Sequence, residues 1–162
     1  MSTTMESSPL PTRMAVRELV EGLIGRDIEL KDATVLGMSP SNVVAVFVTD
    51  QLKVAALAVL DFDGAARIGG ALGMLPKGGI DDAIKEQDLP TVMRDNTYEV
   101  LNVLSAIFNV EGAPHVRLYQ MYGPFGSMPN DVAQLAQALG TRLDLELVIS
   151  GYGSARLSVV IR

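Results

Sequence analysis

Apolar residues recur along this chain with two different periods. Val16, Leu19, Val20, Leu23 and Ile24 are spaced as one buried face of a helix from Met14 to Ile24, and Gly25 supplies its stop. A strand follows at about residues 28–36 and ends at Gly37. Asn42–Val48 and Lys53–Leu60 are two near-continuous apolar runs joined by Thr49-Asp50-Gln51, the pattern of a hairpin covered on both faces in the middle of a sheet. Asp61 or Asp63 is placed to cap a helix over Phe62–Leu72, although Gly64, Gly69, Gly70 and Gly73 weaken that expectation. Pro76-Lys77-Gly78-Gly79 reads as a turn and Asp81–Gln87 as a short helix. Beyond the next helix, His115–Tyr122 is a predicted strand, and Pro124, Gly126 and Pro129 mark a loop. Asn130 caps a helix over Val132–Leu139, stopped by Gly140. Leu143–Leu147 alternates, Ser150–Gly153 turns, and Leu157–Ile161 is a last strand.

The organising stretch lies between Thr91 and Asn109, a helix opened by Pro90 and ended near Gly112. At about 100° per residue, Val100, Leu101, Val103, Leu104, Ile107 and Phe108 form an apolar arc that must meet a core. Asp95, Glu99, Asn102, Ser105, Ala106 and Asn109 fall in a polar stripe on the other side. Glu99 and Asn102, three residues apart, hold a carboxylate and a carboxamide side by side. Ala106, one turn beyond Asn102, leaves that end of the stripe free of bulk. An isolated Glu-x-x-Asn is common on solvated helices, so the spacing alone does not establish a site.

Helix, strands, helix occurs twice, once before Pro76 and once after Pro90. The fold class expected is α+β: a mostly antiparallel sheet with helices packed on it, built from a loosely repeated unit. Residues 1–12 are small, polar and Pro-containing and read as a disordered tail, leaving 13–162 as a single domain.

Composition narrows the function. The 162 residues suit one domain, and an apolar fraction of 48% is enough for a large core with some apolar surface left for a second subunit. A net charge of −6 without any Lys/Arg cluster disfavours a nucleic-acid partner. The absence of cysteine removes disulfides, thiolate nucleophiles and cysteine-based metal sites. No apolar run approaches membrane-spanning length and no secretory leader is evident, so a soluble cytoplasmic protein is expected.

Several mechanisms drop out in turn. The single histidine, His115, has no partners for a triad or a metal site and reads as structural. Neither Gly64–Gly73 nor Gly78-Gly79 forms a phosphate-cradling loop. Asp61, Asp63, Asp81 and Asp82 sit at helix starts, where carboxylates serve as caps. What is left is Asp95, Glu99 and Asn102. A carboxamide is neither nucleophile nor strong base, but it donates and accepts hydrogen bonds at once, which suits it to orienting a water molecule. In phosphoryl transfer, where positioning is most of the catalysis, that is a sufficient role.

On these residues the chain resembles the CheC/CheX/FliY family of chemotaxis phosphatases, which dephosphorylate the response regulator CheY. The family pattern stands here as Asp95-x3-Glu99-x2-Asn102 followed by Pro124, and the element order fits over residues 13–162. The resemblance implies that Asn102 enters the regulator's active site and orients water against the aspartyl phosphate. Glu99 would pair with a regulator lysine, with Asp95, Ser105 and Ala106 around them as partner-contacting residues. It also implies that the chain has no cofactor of its own, the Mg²⁺ being the regulator's. Pro124 is one residue closer to Asn102 than in the usual spacing. Two-site members repeat the motif on the first helix; here that position reads Glu18-Leu19-Val20-Glu21, with a carboxylate where the amide belongs. One site, in the second half, is the CheX-like arrangement. The alternatives are a non-catalytic module that docks a receiver or motor-switch component, and a structural protein whose Asp95–Asn109 helix is merely solvated. A homodimer is expected, with the Asn42–Leu60 hairpin or the last strand offering an unpaired edge.

Overall fold

A computed structural model of the chain describes residues 4–162. The elements, in chain order, are α1 (Arg13–Ile24), β1 (Ile28–Asp32), β2 (Val43–Thr49), β3 (Val54–Leu60), α2 (Phe62–Leu72) and α3 (Lys77–Glu86). The second half supplies α4 (Thr91–Leu104), β4 (Val116–Tyr122), α5 (Asn130–Gln137), β5 (Arg142–Ile149) and β6 (Gly153–Ile161). All six strands join one antiparallel sheet in the order β1-β5-β6-β3-β2-β4.

That order maps onto itself when β1 is exchanged with β4, β2 with β5 and β3 with β6, and α1 and α4 precede equivalent strands. The repeat is therefore real, but its unit is a helix followed by three strands rather than helix, strands, helix. In the second half the extra helix, α5, lies between β4 and β5, where the first half has only the 33–42 connection. Each unit's first strand crosses to the far edge of the other unit's strands, so neither half is a sheet by itself.

The sheet has apolar side chains on both faces, which is why β2 and β3 read as continuous runs. On one face Val43, Ala45, Phe47, Ala58, Leu60, Leu157 and Val159 pack with Val16 and Val20 of α1, Ala65 and Ile68 of α2, Ile80 of α3, and Val100, Leu101 and Leu104 of α4. On the other, Val44, Val46, Leu57, Val59 and Val160 receive Val132 and Ala136 of α5. A buried ion pair supports that side. Arg142 grips Asp144 through Nε at 3.0 Å and Nη2 at 2.9 Å, and donates through Nη1 to the carbonyls of Ala136 and Ala138 at the end of α5. Ser158 donates to the same carboxylate at 2.5 Å.

Several expectations change. β1 stops at Asp32, short of residue 36. The 76–79 turn is absorbed into α3, which begins at Lys77 directly after Pro76. α4 ends at Leu104 and tightens into a 3-10 turn at Ser105–Ile107, so the helix does not reach Asn109. Residues 4–12 carry no helix or strand, as a tail would, yet Ser8 and Pro11 are buried and the Met5 N–H donates to the Gly112 carbonyl at 2.8 Å. Residues 1–3 lie outside the described residues. The hairpin and the last strand are both interior to the sheet; the edges are β1 and β4.

Candidate functional site

The exposed face of α4 is fixed by how its other face is held. Pro90 starts the helix, and Met93, Thr97, Val100, Leu101 and Leu104 are buried. Phe108, just past the 3-10 turn, is fully buried with its ring centroid 5.1 Å from that of Phe47. Val103 and Ile107, expected in the apolar arc, are only half-buried. The closest approach is to α2. A Cβ built on Gly69 would lie 2.2 Å from the Met93 carbonyl oxygen and 2.5 Å from Thr97 Oγ1, so only glycine admits α4 at this distance. Thr97 Oγ1 donates to the Ala65 and Met93 carbonyls at 2.7 and 2.9 Å, and Asn96 Nδ2 donates to the Gly69 carbonyl at 3.0 Å. The glycines that weakened α2 as a sequence pattern are what let α4 dock, and docking on that side turns Asn102 away from the core.

Asp95, Glu99, Asn102 and Ala106 are all exposed, and Ser105 is half-buried. Among the described residues, no side-chain hydrogen bond or ion pair engages the Glu99 carboxylate, the Asn102 carboxamide or the Asp95 carboxylate. Ser105 does have a partner: its hydroxyl donates to the Asn102 carbonyl at 2.7 Å, which secures the helix end rather than leaving the group free. Asn109, placed on the stripe by the sequence pattern, leaves it. Its carboxamide accepts from the Val116 N–H and donates to the Val116 carbonyl, both at 2.9 Å, and so pins the start of β4. The shortening of α4 explains the difference, since a tighter turn rotates everything after Leu104.

The arc within roughly 80° of Asn102 on a helical wheel contains residues the motif does not mention. Tyr98, one turn before Asn102, is 40% exposed, and Val92 is 52% exposed, enough for both to be met by a docking surface. The signal for Tyr98 was its i, i+4 spacing to Asn102, which the pattern of polar residues passes over because tyrosine is not polar enough to score. Four of the molecule's cavities, including one of about 340 Å³ lined by Val54, Val132 and Leu135, include no residue of α4. What this geometry can do chemically is insert an amide and a carboxylate into another molecule.

The other singled-out residues separate from this face. Pro124 follows β4; next to it the Phe125 N–H donates to the Pro40 carbonyl at 2.7 Å, and the Phe125 ring is 6.0 Å from that of Phe62. No hydrogen bond among the described residues connects it with Asn102. On α1, Glu18 is exposed, but Glu21 has structural work: its Oε1 accepts from the Ile28 N–H at 2.9 Å, holding the entry to β1. His115 is a surface residue whose Nδ1 lies 3.2 Å from the Asp50 carboxylate, tying the β2–β3 turn to the start of β4. Asp61 does cap α2, accepting from the Gly64 N–H at 2.8 Å and also from the Arg156 N–H at 3.1 Å. Burial pushes its carboxyl above the usual range despite those two bonds. Asp144 goes the other way: burial raises it, but the Arg142 guanidinium and the Ser158 hydroxyl together outweigh that and hold it low. Neither of these titrating groups is on the α4 face. Among the described residues, no helix is long and apolar enough to cross a membrane.

No protein-family model matches the sequence, and neither does any curated protein. Solved structures do resemble it. A Thermotoga maritima FliY structure matches with a TM-score of 0.61 at 14% identity, over 90% of this chain and 81% of that one. A chain of the CheX–CheY–BeF3–Mg²⁺ complex from Borrelia burgdorferi matches with a TM-score of 0.55 at 10% identity, over 91% and 93%. The chain has the CheC/CheX/FliY-family fold. A chain of the FliM–SpeE complex from H. pylori shares it as well, with a TM-score of 0.60 at 10% identity over 90% and 79%. By the sheet's internal symmetry, α4 with Asp95, Glu99 and Asn102 corresponds to α1 with Glu18 and Glu21.

Proposed function

We propose that the protein is a phosphatase of a phosphorylated receiver domain, acting in the cytoplasm on a CheY-like response regulator. The observation that carries this reading is the Glu99–Asn102 pair on α4, exposed and, among the described residues, engaged by no side-chain hydrogen bond, on a fold shared with a chain of a CheX–CheY complex. Asn102 enters the receiver's site and its carboxamide accepts from and donates to a water molecule in line with the aspartyl phosphorus. Water oxygen bonds to phosphorus as the bond to the aspartate oxygen breaks, releasing inorganic phosphate and the free carboxylate. Glu99 pairs with a receiver lysine and fixes the register of the amide. Asp95 and Ala106 line the contact above and below, Ala106 by leaving room. The Mg²⁺ in this reaction is the receiver's and neutralises charge on the phosphoryl oxygens.

A second reading, a module that docks a receiver or switch component without hydrolysis, draws on the likeness to the FliM chain. Phosphate release from the receiver domains of the same cell, charged with acetyl phosphate and incubated with and without the protein, separates the two. Faster decay of at least one phospho-receiver, abolished by Asn102→Ala, supports the phosphatase. Binding of a receiver without faster decay favours the docking module.

A further inference from the structure

The arc around Asn102 is not uniform. Taking Asn102 as its centre, Asp95, Glu99 and Val92 lie successively farther round on one side, and Thr91, Tyr98 and Arg94 on the other. Both carboxylates therefore lie on one flank. The other flank carries the Tyr98 ring, directly preceding Asn102 by one turn and 40% exposed.

We infer that Tyr98 is a docking residue for the phosphorylated receiver, and that the split between an acidic and an aromatic flank sets the one orientation in which Asn102 reaches the phosphate. This rests on the phosphatase reading and adds the contact that orients it. The occupant follows from charge. A surface that must accept Asp95 and Glu99 on one side of an inserted amide supplies cations there, as a receiver's lysine does. On the opposite side, around the Tyr98 ring with the exposed Arg94 cation at its margin, it supplies an apolar or backbone wall free of cations. Rotating the partner by half a turn about Asn102 would set its cations against the tyrosine face and its apolar wall against two carboxylates. The two flanks thus exclude that pose. A tyrosine flanking the inserted amide, large and stiff, is the residue type that carries binding energy at low entropic cost.

The test compares three variants on the phospho-receiver that wild type turns over fastest, with binding measured on the same receiver held in its BeF3–Mg²⁺ form. Tyr98→Ala is expected to raise KM and Kd about tenfold while leaving kcat at saturation within about threefold. Its loss should be the same in 50 and 300 mM salt. Glu99→Gln is expected to weaken binding by an amount that shrinks as salt is raised. Asn102→Ala is expected to lose kcat and keep Kd. Thermal melts of each variant confirm folding, and Leu139→Ala, an exposed side chain just beyond α5 on the side of the sheet opposite α4, serves as the control. An unchanged KM and Kd for Tyr98→Ala, with Asn102→Ala inactive, overturns the docking role and leaves the phosphatase reading standing. Retention of full activity by Asn102→Ala, or no receiver turned over by wild type, overturns both.

Discussion

Replacing Asn102 by alanine should make this protein slightly more stable and inactive. Asn102 is exposed, and among the described residues no hydrogen bond of its side chain is lost in the exchange. Its carbonyl, which accepts from Ser105, is kept. No cavity opens, because the side chain fills none. What changes in the folded state is intrinsic preference: alanine is favoured over asparagine inside a helix by about 0.5 kcal/mol. For a domain of this size that shifts Tm upward by roughly 1–2 °C. Removing the amide from the reacting water costs phosphate release about a hundredfold or more, the scale of deleting one well-placed hydrogen-bonding group in a transition state. Thr97→Val is the informative contrast on the same helix. It removes a fully buried hydroxyl that bonds Ala65 and Met93, so it should lower stability by about 1–2 kcal/mol, with activity falling only as far as α4 shifts. Thermal melts followed by circular dichroism, together with a phospho-receiver decay assay, read both quantities. A drop in Tm of several degrees for Asn102→Ala would show that the side chain holds the fold, and activity within threefold of wild type would show that it does not position water.

Gly69→Ala should destabilise by about 2 kcal/mol, a clash of up to about 3 kcal/mol against the Met93 carbonyl offset by about 1 kcal/mol of helix propensity; an unchanged denaturation midpoint would mean that α2 and α4 can part freely. Asp144 has a lowered pKa in the folded chain, so its contribution is present above the usual aspartate value and is lost as pH falls through the folded one. Asp61, with a raised pKa, contributes stability that is present in acid and is lost as pH rises through its folded value. Asp144→Ala should therefore flatten the acid limb of a stability–pH curve and cost about 3 kcal/mol at neutral pH by stranding Arg142, whose side chain is 7% exposed, whereas Asp61→Asn should flatten the opposing limb; unaltered curves would refute both assignments. The expected homodimer would pair through edge strand β4, since β1 is short and carries Glu29, Lys31 and Asp32. Sedimentation velocity should show a dimer that Tyr119→Pro dissociates, and a monomer mass independent of concentration would dismiss it.

Local rules carried most of the secondary structure. The β2 and β3 runs, the Asp61 cap and the Pro90 helix start follow from side-chain period and capping chemistry, which act over a few residues, whereas Asn130, expected as a cap, is the first residue of α5 behind Pro129 and makes no side-chain cap. The same rules put Asp95, Glu99 and Asn102 on one stripe, because three- and four-residue spacing on a helix is a local fact. Where tertiary contacts outvoted local preference, the pattern was silent. Pro76-Lys77-Gly78-Gly79 looks like a turn, but Ile80 packs over Gly70 on α2 and draws the segment into a helix. Asn109 has the period of the stripe, yet a strand that arrives from seven residues away claims both ends of its amide. Glu21 reads as a degenerate catalytic position until the Ile28 N–H is seen to need it. The glycines of α2 read as a fault in a helix, since nothing in a single helix tells of the second one that must come within contact of its backbone. Which residues line up with Asn102 was thus written in the sequence. That they face outward was decided by Gly69 and Thr97, because only the packing of one helix on another says which side is left for a partner.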